Sequence, residues 1–76
     1  MSKIPPDVMA NDAIIAFRRA GFELLREGKK HSILRKSGHQ FHLSIPRHPN
    51  PLKQGTLRSL IADAGLTVDE FVAFLR

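Results

Sequence analysis

With 76 residues, a net charge of +5 and a pI near 10.5, the chain is expected to form one small domain over residues 1–76, with no room for a deep enclosed cofactor pocket. It has no cysteine, which excludes a thiolate nucleophile, a disulfide framework and a cysteine-based zinc site. No stretch reaches the ~20 apolar residues of a membrane helix and no apolar leader opens the chain, so a cytoplasmic protein is expected.

Pro5-Pro6 holds the first residues extended, after which Ala10, Ala13, Ile14, Phe17 and Ala20 recur at helical spacing. A helix over about 10–20 is predicted, with Gly21 suited to a left-handed C-terminal cap. Phe22 to Arg26 reads as a short strand, Gly28-Lys29 as a turn, and Lys30 to Lys36 as a second strand. Ser37-Gly38-His39 is a second turn. In the third strand, Gln40 to Ile45, alternation predicts Phe41, Leu43 and Ile45 on the core face and His42 and Ser44 on the other. Pro46 ends it, and the proline-rich run Arg47 to Pro51 is a loop. A helix resumes near Gln54 or Gly55, with Leu57, Leu60, Ile61 and Ala64 on one face and Gly65 as its stop. Thr67-Val68-Asp69-Glu70 fits a capping box, with Leu66 and Phe71 as a hydrophobic staple, and the last helix is expected to bury Val68, Phe71, Val72 and Leu75. The order predicts an α+β fold: a helix, three antiparallel strands and a helix pair, with the helices on one face of the sheet and the other face open.

Charge is concentrated mid-chain. From Arg26 to Arg58 the eight basic residues Arg26, Lys29, Lys30, Arg35, Lys36, Arg47, Lys53 and Arg58 face one acid, Glu27, and all four histidines lie in the same window. Such a field fits a polyanion, with RNA on the open sheet face the leading candidate. A solvated basic face without a partner is the plainer alternative. A membrane surface fits poorly, because no long basic amphipathic helix is present.

Among enzymatic chemistries, the acids are too scattered for a carboxylate pair or a magnesium site. His39 and His42, three apart on a strand, face opposite ways and lack a third metal ligand. No Walker phosphate loop occurs. RNA cleavage stays open, because RNA carries its own 2′-hydroxyl nucleophile and a site needs only proton transfer and charge stabilisation. His31, behind Lys29-Lys30, is the candidate acid or base, with Lys29, Lys30 and Arg47 as phosphate contacts; Arg35 and Lys53 complete the candidate RNA-binding set. The ordinary alternative for His31 is a strand residue paired with a polar neighbour, and parity leaves its face open. It points outward if Leu34 faces the core and inward if Ile33 does.

Gly21-Phe22-Glu23-Leu24-Leu25-Arg26, the histidine five residues on, Ile45-Pro46-Arg47-His48, and Leu52 to Ile61 through Ala64-Gly65-Leu66-Thr67 resemble HicA toxins over nearly the whole chain, as does the opening Lys3-Ile4-Pro5. The resemblance implies a fold like that of double-stranded RNA-binding domains. It also implies an mRNA interferase that needs no cofactor and is held in check by a HicB-type antitoxin. The family's catalytic histidine follows a Gly-Ser pair; its position here is His31, and the pair is replaced by Lys29-Lys30. Two other readings compete with cleavage: a module that binds RNA without cutting it, and a protein whose remaining role is to pair with an antitoxin.

Overall fold

A computed structural model describes residues 3–76. The elements in chain order are α1 (Ala10–Arg19), β1 (Glu23–Glu27), β2 (His31–Arg35), β3 (Leu43–Pro46), α2 (Gln54–Asp63) and α3 (Val68–Leu75). The strands form one antiparallel sheet in the order β1-β2-β3, so the fold is α+β and has the helix-and-sheet arrangement of a double-stranded-RNA-binding-like domain.

Local signals set the helix ends. α1 and α2 both terminate in a residue with positive φ, Gly21 at 105° and Gly65 at 75°. At the first, the Phe22 N–H donates to the Phe17 carbonyl and the Gly21 N–H to that of Arg18; at the second, Leu66 donates to Ile61 and Gly65 to Ala62. These are Schellman caps, in which glycine adopts the left-handed conformation without a Cβ clash. α3 opens on the expected capping box: the Glu70 N–H donates to Thr67 Oγ1 at 3.1 Å and the Thr67 N–H to Glu70 Oε1 at 2.9 Å. At its other end, the Arg19 guanidinium donates to the carbonyls of Phe74 and Arg76, satisfying acceptors that the last turn leaves free.

The core lies between the helices and one face of the sheet. Ala13, Ala16 and Phe17 of α1, Leu57 of α2 and Phe71 of α3 meet Leu34, Leu43 and Ile45 of the strands, all fully buried. Phe17 packs against Phe71 with ring centroids 5.1 Å apart and edge-on against Phe22 at 6.1 Å. The N-terminal segment is sewn to the α2 entrance: the Leu52 N–H donates to the Val8 carbonyl, and the Gln54 amide to those of Ile4 and Pro5.

Two expectations are corrected. Phe41 is outside the core and 55% exposed, because β3 starts only at Leu43; after the Leu34–Leu43 pair the chain leaves the ladder and turns back at Ser37-Gly38. In α3 only Phe71 is buried, while Val68, Val72 and Leu75 are half-covered at the edge of the helix layer. β1 is exposed at every position. It is an edge strand with a bulge at Leu25, between the pairs Leu24–Leu34 and Arg26–Ile33, and α1 and α2 pack over β3 instead.

Candidate functional site

The burial pattern of β2 settles its parity: Ser32 and Leu34 point into the core, so His31, Ile33 and Arg35 point to the uncovered face. Cross-strand pairing places Arg26 and Ser44 beside Ile33, Pro46 beside His31, and Glu23 beside Arg35 on that same face. His31 is exposed, and its imidazole makes no hydrogen bond, ion pair or ring contact among the described residues.

A tight turn delivers His31 to its place. The Gly28 N–H donates to the His31 carbonyl at 2.8 Å, and the Arg47 N–H to the Lys30 carbonyl at 2.7 Å, fixing the backbone on both sides of Lys29-Lys30. A Cβ at Gly28 would stand 3.1 Å from the His31 carbonyl oxygen, so glycine permits the close approach. Lys29 and Lys30 are exposed on this turn, next to His31 in the chain.

Of the other candidate residues, Arg35 and Lys53 lie apart from His31, while Arg47 is close in backbone but turns its guanidinium elsewhere. Arg35 lies at the far end of β2, about 13 Å along the strand, and its Nε meets Glu23 Oε1 at 3.1 Å in an exposed pair. Arg47 is half-buried. Its guanidinium pairs with Glu27 and reaches the hydroxyl of Ser32, which is fully buried on the helix side. With His48 it borders a hollow at the start of α1 formed by Met9, Ala10 and Asn11. Lys53 is exposed and stands at the N-cap of α2, in the helix layer. His39 is held by a hydrogen bond between its Nε2 and the Asp63 carbonyl at the end of α2.

Two exposed features escape a reading of the sequence. Leu25, Arg26 and Ile33 line a hollow on the open face; the bulge that turns Leu25 toward it has no local sequence signal. The other is the exposed Phe41, which alternation assigned to the core. What the face offers chemically is an accessible imidazole next in the chain to Lys29 and Lys30, and a mixed apolar and cationic surface. It can transfer a proton and attract phosphate without a carboxylate of its own beside the imidazole.

The family model described as HicA toxin of bacterial toxin-antitoxin matches residues 10–66. A comparison with curated proteins yields no match. The family match runs from the start of α1 to just beyond the glycine cap of α2, and so contains the whole sheet and His31 with it; the chain belongs to the HicA toxin family of bacterial toxin–antitoxin systems.

Proposed function

We propose that the chain is a metal-independent endoribonuclease that cuts mRNA, with His31 as its proton-transfer group, and that a HicB-type antitoxin neutralises it. The observation that carries this reading is the accessible, unpartnered imidazole on the uncovered face of the sheet, beside Lys29 and Lys30. A 2′-hydroxyl gives its proton to His31 and attacks the adjacent phosphorus. The bond from phosphorus to the 5′-oxygen breaks, and that oxygen takes a proton from the imidazolium or from water. The products are a 2′,3′-cyclic phosphate and a 5′-hydroxyl end. Lys29 and Lys30 offset the charge that builds on the phosphoryl oxygens, while the positioned proton transfer contributes on the order of 10² to 10⁴ in rate. In this proposal the chain acts in the cytoplasm as one domain.

Expression of the wild-type chain and of His31→Ala to equal levels tests the assignment. mRNA loss and growth arrest are expected with the first and neither with the second; equal loss in both removes His31 from the mechanism. A chelator is expected to leave cleavage unchanged, and RNA with 2′-deoxyribose at the cut position to resist it. Lys29-Lys30 in place of Gly-Ser favours a second reading, RNA binding without cleavage. Retained salt-sensitive binding with intact RNA after long incubation would select it.

A further inference from the structure

We propose a second RNA subsite at the turn between β2 and β3: Phe41 stacks an unpaired base of single-stranded RNA, while Arg35 and His42 hold a nearby phosphate. It rests on the reading of the open face as the RNA side and adds where the strand leads away from His31. Phe41 has a large exposed apolar side chain that the core does not explain. Among the described residues its ring meets only that of His39, edge to face at 6.4 Å and 71°, and none lies stacked on it. His39 in turn is anchored to the Asp63 carbonyl and set edge-on to Phe22 at 5.3 Å. The aromatic platform therefore sits on a fixed support, and little ordering is needed when a base arrives.

His39 also lines a hollow, together with Glu23, Arg35, Ser37, Gly38 and His42, the last being the chain neighbour of Phe41. Lys36 lines it as well, but its ammonium is turned to the Ala20 carbonyl and lies 5.6 Å from the Phe22 ring centroid. Arg35 is the available cation. Its partner Glu23 holds it in an exposed pair, a contact worth about 0–1 kcal/mol, which a phosphate can displace. The Ser37 hydroxyl and the His42 imidazole add donors. The occupant is single-stranded, because in an RNA duplex the base faces are stacked inside the helix and closed to Phe41. The path is continuous: His31, Ile33 and Arg35 lie in line on one face, with the Leu25–Arg26–Ile33 hollow between the ends. A cationic face with an exposed aromatic is the combination that tracks a nucleic acid backbone and tolerates any base.

Binding is measured on the full chain by fluorescence anisotropy with labelled 2′-O-methyl oligoadenylate, whose masked 2′-oxygen cannot be cut. Affinity is thereby read apart from cleavage, and an inactive His31 would not disturb the result. Phe41→Ala is expected to weaken binding about fivefold or more, with the unfolding midpoint retained, and Phe41→Trp to restore it. Arg35→Gln is expected to weaken binding and to lower the log–log salt slope by about 0.7. Binding of the matching duplex is expected to be unchanged by Phe41→Ala. Wild-type affinity in Phe41→Ala, or in Arg35→Gln, overturns the subsite. So does a loss in Phe41→Ala confined to binding of a HicB-type antitoxin, which makes the turn a protein contact.

Discussion

The proposed chemistry at His31 depends on what does not touch the side chain. No described residue engages the imidazole, which leaves it open to a substrate hydroxyl, and because it is exposed His31→Ala is expected to remove the proposed activity without loosening the core. In the proposed function Lys29 and Lys30 serve as point charges on phosphate. Lys29→Gln or Lys30→Gln is expected to weaken RNA binding evenly across sequences and to reduce the log–log salt slope by about 0.7 each, as measured by titration at several salt concentrations. Arg47 is engaged differently, with Glu27 and the buried Ser32 hydroxyl. Arg47→Ala is expected to lower stability by about 1 kcal/mol, seen as an earlier denaturant midpoint, because the pair is half-exposed and its loss leaves the Ser32 hydroxyl short of a partner. That histidine could be named as a candidate from residue type and charge. Its orientation could not, because strand parity follows from which neighbours are buried.

Helix ends and strand ends differ in how far they could be read. Gly21, Gly65 and the Thr67–Glu70 box stand where the sequence puts them, because a cap is a contract among residues within one turn of each other. Thr67→Ala is expected to cost about 1 kcal/mol, and Gly65→Ala about 1–2 kcal/mol, since an L side chain is strained at its φ of 75°. Both would appear in thermal unfolding as falls of about 4–8 °C per kcal/mol. The third strand was misread by contrast. Alternation in Gln40 to Ile45 is genuine, yet a strand extends only as far as its partner, and pairing with β2 stops at Leu34–Leu43. Residues beyond that point join the turn, which is how Phe41 comes to face solvent.

For the molecule as a whole, a small core leaves little reserve. Phe17 lies at its centre, fully buried against Phe22 and Phe71, and Phe17→Ala is expected to cost about 3–5 kcal/mol. A core of this size supplies about that much, so the variant should show no cooperative unfolding transition by circular dichroism. The helices spend their apolar faces on one side of the sheet, mainly over β3. The described helices leave the other side uncovered.

The sequence by itself determined the element order, the helix caps and the basic middle of the chain with its four histidines. These depend on composition and on neighbours a few residues apart. Only the tertiary structure decided which face His31 occupies, that Arg47 is turned to Glu27 and Ser32, that Arg35 stands at the far end of His31's own face and that Phe41 lies outside the core. Each of these depends on where the helix layer covers the sheet and where the strand pairing stops, and both are set by contacts between residues distant in the chain.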